Sequence, residues 1–208
     1  MLIKLDKLVQ QFNLEIRGVL HCGASTGQEA EMYNSLGIQK VIWVEAIPKV
    51  YEKLVEHIKV YPQNIAINSC LSDVDGQDVE FNISSNDGES SSFLDFGVHK
   101  DIHPDVWFVD KIRLRTSRLD NILKETDLSS YNFLNLDLQG AELMALKGLG
   151  DKLSCFDYCY MEVNKRETYK GCALIEDVDT YLESFGFVRV ILADWVGDTW
   201  SDALYIKK

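Results

Sequence analysis

An α/β fold built on a mostly parallel sheet is predicted by the order of apolar and amphipathic segments in this 208-residue chain. Short apolar stretches such as Val19 to Cys22 and Val41 to Val44 have the pattern of buried strands. Helical periodicity, as in 48–60, separates the strands, and this alternation favours a parallel sheet covered on both faces. The last two strands, 188–193 and 202–207, are joined by a loop too short for a crossover helix, so they are expected to be antiparallel.

The remaining elements follow from the same patterns. Leu5, Leu8 and Phe12 recur at helical spacing, so an amphipathic helix is expected within the N-terminal segment 1–17. Residues from about 74 to 118 interrupt the strand–helix order and are assigned as an insertion after the third strand. The whole chain, 1–208, is expected to form a single domain. The other strands are predicted at 65–70, 133–138 and 158–163, and the other helices at 27–36, 141–149 and 175–185.

The composition is that of a soluble globular protein, with 46% hydrophobic and 26% charged residues. A formal net charge of −12 repels phosphate backbones, so no nucleic acid partner is expected. No signal peptide or membrane span is visible, and the five cysteines follow no zinc spacing, which together predict a cytoplasmic protein with reduced thiols. The oligomeric state stays open, and a homo-oligomer is one of the alternatives.

A basic cluster stands out in the insertion. Lys111, Arg113 and Arg115 alternate with apolar residues as on one face of a strand, and Arg118 follows them. We interpret the cluster as a solvated face, and contact with an anionic substrate is the alternative.

A glycine-rich turn, His21-Cys22-Gly23-Ala24-Ser25-Thr26-Gly27, follows the first strand. Glycine allows a sharp turn and a close approach to a ligand, and the start of the following helix offers free N–H groups. The turn has neither the G-x-G-x-x-G spacing of dinucleotide-binding folds nor the Lys-Ser/Thr of a phosphate-binding loop. A ligand without phosphate at this position is therefore favoured, and a purely structural turn is the alternative.

Three further strand tips carry polar residues. Glu45 ends the second strand, where a carboxylate can accept both ribose hydroxyls of an adenosine or cap the next helix. Residues 69–73 end the third strand, and Asp137 ends the fourth, with Glu142 in the next helix as a ligand or a capping acid. Open α/β sheets bind ligands beyond the carboxyl ends of their strands, so an adenosine-containing ligand is predicted there.

The motifs HCGASTGQE, WVEAIPK, GESSSFL, RLD, LNLDLQGAELMALKGL, MEVNKRETYKG and SDALYIKK resemble, in this order, those of the FkbM-type methyltransferase family. Two positions depart from the common pattern: Asn135 stands where many relatives have lysine, and Cys22 follows His21 where many have isoleucine. The resemblance implies a Rossmann-like class I methyltransferase fold, with a seven-stranded, mostly parallel sheet and a C-terminal antiparallel hairpin.

The resemblance also implies a cofactor and a reaction. The cofactor is S-adenosyl-L-methionine, and the expected reaction is O-methylation of a hydroxyl on a sugar, a glycan or a small natural product. N-methylation of an amino sugar and a non-catalytic cofactor-binding module of the same fold are the alternatives. From the strand tips and the resemblance together, the expected cofactor-binding residues are His21, Gly23, Ala24, Ser25, Gly27, Glu45, Ala46, Leu71, Ser72 and Asp137.

A hydroxyl acceptor needs a group that takes up its proton. Asp137, His99 and His103 are the candidate catalytic residues, and Glu162 is a further proton acceptor to consider. The two histidines share a face if their segment is helical, but no further ligands accompany them and no metal is predicted. The segment 88–110 is expected to form a lid or an acceptor wall. The candidate acceptor-binding residues are Ser91, Ser92, Trp107, Glu162 and Asn164.

Overall fold

The computed structural model describes all 208 residues. The strands are β1 (Val19–Cys22), β2 (Val41–Glu45), β3 (Asn64–Asn68), β4 (Cys70–Leu71), β5 (Asp78–Ser84), β6 (Phe108–Ser117), β7 (Phe133–Leu136), β8 (Tyr158–Asn164), β9 (Phe187–Leu192) and β10 (Trp200–Lys207). The helices are α1 (Leu5–Phe12), α2 (Ala30–Ser35), α3 (Pro48–Ile58), α4 (His99–Ile102), α5 (Leu119–Ile122), α6 (Glu142–Leu149) and α7 (Ile175–Glu183). Short 3₁₀ turns occupy Leu128–Ser130 and Gly150–Cys155.

The main sheet has seven strands in the order β3-β2-β1-β7-β8-β10-β9. All neighbours pair in parallel except β10, which is antiparallel to both β8 and β9. The predicted sheet and its C-terminal hairpin are therefore confirmed. The chain extends the sheet in one direction from β1 to β3 and in the other from β7 onwards, which leaves a crevice between the carboxyl ends of β1 and β7.

Helices cover both faces of this sheet and form two hydrophobic clusters. Successive residues of β1 point to opposite faces, so Val19 packs in one cluster while Leu20 and Cys22 pack in the other. The strands β1, β2 and β7 are buried along their whole length, as the continuous apolar runs predict. No helix is long and apolar enough to cross a membrane.

The insertion forms a second, three-stranded sheet in the order β4-β6-β5. The predicted third strand, 65–70, is divided at Ser69, and its last residue, Cys70, pairs with β6 instead of β2. Arg118 ties the two ends of the insertion together, because its Nη1 donates to the Asp73 carbonyl oxygen at 2.8 Å and its backbone N–H donates to Asp75 Oδ1 at 2.7 Å. The charged residues of β6 lie on an exposed face, as expected.

Two helices are shorter than predicted by more than two residues. Within segment 1–17, α1 ends at Phe12 because Asn13 adopts a left-handed conformation with φ of 51°. Helix α2 begins only at Ala30 because the chain from Gly23 to Gly27 continues as a turn, with Gly27 at φ of 79°.

Candidate active site

A cavity of about 380 Å³ lies beyond the carboxyl ends of β1, β2, β7 and β8. The side chains around it are acidic or neutral, apart from three histidines, and no lysine or arginine lines it. The exposed basic face of β6 lies outside the cavity. The lining carboxylates are Glu29, Glu45, Glu89, Asp137, Glu162 and Asp202.

The β1 turn draws three strand tips together. Gly23 has φ of 81°, and a Cβ atom there would lie 1.7 Å from the backbone oxygen of Asp137. The backbone N–H groups of Gly23 and Ala24 both donate to the Val44 carbonyl oxygen, at 2.9 and 3.0 Å. Only glycine fits at position 23, because any side chain would force the tips of β1 and β7 apart.

Glu45 is held by the backbone around it. Its Oε2 accepts a hydrogen bond from the Ser25 N–H at 2.9 Å, and its Oε1 accepts one from the Ile47 N–H at 2.8 Å. Burial raises the pKa of Glu45 to about 7, although these backbone hydrogen bonds favour the ionised form. Each carboxylate oxygen retains a further lone pair, so Glu45 can still accept hydrogen bonds from ligand hydroxyls.

Asp137 follows β7 and is accessible within the cavity. Its Oδ1 accepts a hydrogen bond from Gln139 Nε2 at 2.6 Å, and Gln139 Oε1 accepts one from the Tyr169 hydroxyl at 2.6 Å. Gln139 has a left-handed backbone, with φ of 52°, which is uncommon for a residue other than glycine. Desolvation by the surrounding protein raises the pKa of Asp137 to about 6, although the hydrogen bond from Gln139 favours the ionised form.

Glu142 caps the turn before α6. Its Oε1 accepts a hydrogen bond from the Leu138 N–H at 2.7 Å, and its Oε2 accepts one from the Gly140 N–H at 3.1 Å. Burial raises its pKa to about 7. The side chain does not line the cavity, which favours the helix-capping alternative.

Glu162 and Asp202 face each other on adjacent antiparallel strands. They are direct register partners in β8 and β10, and both side chains are buried. Asp202 Oδ2 accepts a hydrogen bond from the Tyr160 hydroxyl at 2.6 Å, whereas Glu162 Oε1 has no donor. Burial raises the pKa of Glu162 well above its usual value, and the nearby charges of Glu142, Asp137 and Asp202 raise it further.

His99 and His103 line the cavity from the insertion, in and just after α4. The His99 ring stacks on Phe96, with the two ring centroids 4.1 Å apart, and the centroid of the His103 ring lies 5.1 Å from that of His99. Burial lowers the pKa of His99 to about 4, so its imidazole is neutral at physiological pH. The chain has no group of three or more histidine, cysteine or acidic side chains that could hold a metal ion.

His21 supports the cavity from β1. Its Nδ1 lies 3.1 Å from the Tyr33 hydroxyl, and its ring stacks on Trp43 with a centroid distance of 5.0 Å. Asn135 also approaches the Tyr33 hydroxyl, with Nδ2 at 3.0 Å. Burial lowers the pKa of His21, so a neutral aromatic layer underlies this part of the site.

Most of the residues predicted from sequence meet at this cavity, although their individual roles stay predictions. The three candidate catalytic residues line it, together with two of the five candidate acceptor-binding residues. The predicted residues in the lining are His21, Gly23, Ala24, Ser25, Glu45, Ala46, Leu71, Ser91, His99, His103, Asp137 and Glu162.

Five predicted residues lie outside the lining, and each has a structural position that explains this. Gly27 packs under α3, where an added Cβ would lie 2.8 Å from Leu54 Cδ1. Ser72 is buried against the insertion, since its N–H donates to the Ser117 carbonyl oxygen. Ser92 bridges to β5, and Asn164 pairs with β10 at the end of the main sheet.

Trp107 points away from the cavity. Its side chain is 57% exposed, just before β6 and on the outer side of the insertion. Trp107 does not line the cavity, and its stacking on an acceptor ring stays a prediction. Gln139 and Asp202 are two of the lining residues that were not predicted. A glutamine in a turn carries no distinctive sequence signal, and the inward position of Asp202 depends on the register of β10.

The sheet order, the reversed β10 and the cavity at the strand tips define a class I methyltransferase fold. Solved structures share it at low sequence identity. Sp1610 from Streptococcus pneumoniae, in complex with S-adenosyl-L-methionine, has a TM-score of 0.52 at 13% identity, covering 100% of this chain and 73% of that one. Magnesium protoporphyrin IX methyltransferase (ChlM) from Synechocystis PCC 6803 has a TM-score of 0.53 at 11% identity, covering 98% and 76%.

The Methyltransferase FkbM domain matches residues 21–189, and the chain belongs to this family. One curated relative is 2-O-methyltransferase NoeI from Sinorhizobium fredii, which is 25% identical over 177 residues, or 82% of this chain and 72% of NoeI. The protein is thus an S-adenosylmethionine-dependent methyltransferase, as the sequence motifs predicted. The buried carboxylates and the narrow glycine turn fit a cofactor that carries ribose hydroxyls and a positive charge.

Proposed function

We propose that this enzyme methylates a hydroxyl group on an uncharged sugar, glycan or other small natural product. The observation that carries the proposal is the charge of the cavity: six carboxylates line it, and no lysine or arginine does. Such a cavity repels phosphate and carboxylate groups on an acceptor. The similarity to a 2-O-methyltransferase, although only 25% identical, supports oxygen as the methylated atom.

The cofactor half of the cavity comprises the tips of β1, β2 and β4. Glu45 would accept the ribose hydroxyls, and the turn at Gly23 and Ala24 would approach the amino-acid end of the cofactor. Ala46 and Leu71 supply small and apolar surface beside Glu45. When bound, the cofactor supplies a methyl group that is already activated on sulfur, so the protein has to orient the acceptor and exclude water.

The acceptor half is formed by the insertion. Ser90, Ser91 and Phe93 line the cavity from the loop after β5, and His99 and His103 line it from α4. Hydroxyl groups beside aromatic rings suit a sugar, which presents both polar edges and apolar C–H faces. Within one domain spanning 1–208, the insertion 74–118 thus acts as the acceptor-side wall. We infer no nucleic acid partner, because no lysine or arginine lines the cavity.

N-methylation of an amino sugar is the second candidate, because the same carboxylates attract an ammonium group. The two are separated by methyl transfer from labelled S-adenosylmethionine to three acceptor panels: neutral sugars and oligosaccharides, amino sugars, and nucleotide-activated sugars. We expect label on the neutral panel. Label on the amino sugars alone would establish the second candidate, and label on the nucleotide-activated sugars alone would refute both.

A further inference from the structure

We propose that Glu162 is the catalytic base, and that its Oε1 takes the proton from the acceptor hydroxyl. This inference rests on the proposed function and names the residue that performs the proton transfer in that reaction. Its starting point is an unsatisfied atom: Glu162 Oε1 is the one buried carboxylate oxygen in the chain that lacks a hydrogen-bond donor. A buried carboxylate oxygen without a donor is costly, so a position like this is typically kept for a ligand.

The other acids near the cavity are engaged by the protein itself, apart from Glu29 and Glu89, which are not buried. The two oxygens of Glu45 and of Glu142 accept backbone N–H groups, and Asp202 accepts the Tyr160 hydroxyl. Asp137, the candidate favoured by its strand tip, accepts the short 2.6 Å hydrogen bond from Gln139. These bonds stabilise the carboxylates and make them weaker proton acceptors.

Gln139 positions Glu162. Its Nε2 donates to Asp137 Oδ1 at 2.6 Å and lies 3.3 Å from Glu162 Oε2, while the Tyr169 hydroxyl fixes its Oε1. The amide therefore holds one oxygen of Glu162 and leaves the other without a hydrogen-bond donor. We assign Gln139 and Tyr169 as positioning residues.

The pairing of Glu162 with Asp202 explains how the base is controlled. Like charges directly opposite each other on antiparallel strands are unfavourable, and no lysine or arginine lines the cavity to offset them, although the amino terminus of Met1 is part of the lining. Asp137 at the tip of β7 and Glu142 on α6 add to the repulsion, while the neutral Tyr169 and His99 complete the wall. The free enzyme therefore holds Glu162 protonated, and a positive charge in the cavity favours its ionisation.

The transfer step then balances as follows. The acceptor oxygen forms a bond to the methyl carbon while the bond from that carbon to sulfur breaks and its electron pair stays on sulfur. The acceptor O–H bond breaks, and its proton passes to Glu162 Oε1. One negatively charged carboxylate and one positively charged sulfonium thus become neutral groups together.

Proton release on ligand binding tests this assignment without any acceptor. Calorimetric titrations of S-adenosylmethionine and of the neutral S-adenosylhomocysteine, each in two buffers of different ionisation enthalpy near neutral pH, give the number of protons exchanged. We expect wild type to release more protons with S-adenosylmethionine. Glu162→Gln should lose most of this difference, and Glu167→Gln, which removes an exposed charge outside the cavity, should retain it. An unchanged difference in Glu162→Gln would overturn the proposal.

Methyl transfer separates the charge of Glu162 from its position. For an acceptor from the neutral panel, Glu162→Gln should lower kcat by about 10²–10⁴-fold, and Glu167→Gln should leave it unchanged. Glu162→Asp retains the charge but withdraws the oxygens, so it should keep the proton release and still lose kcat. A Glu162→Gln enzyme with the wild-type pH profile and kcat would contradict the role as base. If wild type methylates no hydroxyl, the proposed function fails. The proton-release titrations test the ionisation of Glu162 separately, because they need no acceptor.

Discussion

Replacing Gly23 by alanine tests whether close contact between β1 and β7 sets the geometry of the site. The added Cβ would lie 1.7 Å from the Asp137 backbone oxygen and 2.7 Å from its carbonyl carbon. Backbone atoms at a strand tip cannot move aside as a flexible side chain does. The substitution must therefore separate the two tips and strain the hydrogen bond from the Asp137 N–H to the Cys22 carbonyl oxygen.

The magnitude follows from three contributions. The left-handed backbone costs an alanine about 1–2 kcal/mol. Forcing an extra methyl group into a packed site costs about 1–3 kcal/mol. Loss of one backbone hydrogen bond adds about 1 kcal/mol. We therefore expect the free energy of unfolding to fall by about 3–6 kcal/mol, a large share of a typical domain's stability.

Gly37→Ala is the matched control. Gly37 has nearly the same backbone angle, with φ of 78° against 81° for Gly23, but an added Cβ at position 37 would meet nothing within 4 Å. It should lose only the conformational contribution of about 1–2 kcal/mol. Urea unfolding of both variants, with calorimetric titration of S-adenosylmethionine, measures the difference. Equal losses of stability in the two variants, or wild-type cofactor affinity in Gly23→Ala, would refute the reasoning.

Three further predictions concern the acids and their partners. Glu45→Ala should weaken S-adenosylmethionine binding by about 1–3 kcal/mol in calorimetry, and wild-type affinity should rise with pH through about 7, where Glu45 ionises. Glu45, Asp137 and Glu142 have pKa values raised above the ordinary carboxyl value of about 4. Their contribution to the stability of the ligand-free protein is fully present below about pH 4 and is lost as the pH rises to about 7. Urea unfolding should therefore show lower stability at neutral than at mildly acidic pH. Tyr169→Phe removes the hydroxyl that holds Gln139 and should lower the free energy of unfolding by about 1 kcal/mol. It should also lower kcat more than it changes KM. An unchanged kcat would disprove the positioning role of Tyr169.

The cofactor half of the site could be predicted from sequence because its geometry follows from one rule. Parallel strands bring their carboxyl ends to the same edge, so the residues after β1, β2 and β7 had to meet there. Gly23, Glu45 and Asp137 were identified in this way, and all three line the cavity. The position of each depends only on where its own strand ends.

The acceptor half depends on contacts that periodicity does not contain. Asp202 faces Glu162 only because the loop before β10 sets one particular register, and a shift by one residue would point it to the other face. Trp107 was expected inside the cavity, but the β5–β6 hairpin directs it outward. Ser69 divides one apolar run between two sheets, which the composition of that run did not indicate.

The closure of the insertion by Arg118 has a consequence for how such enzymes diversify. Because Arg118 donates hydrogen bonds to both Asp73 and Asp75, the two ends of the insertion lie next to each other. A segment whose ends are adjacent can be lengthened, shortened or exchanged without altering the strands that bear Gly23 and Glu45. From the proposed acceptor-side role of the insertion, we expect that transplanting residues 74–118 from one relative to another keeps the methyl donor and changes the acceptor.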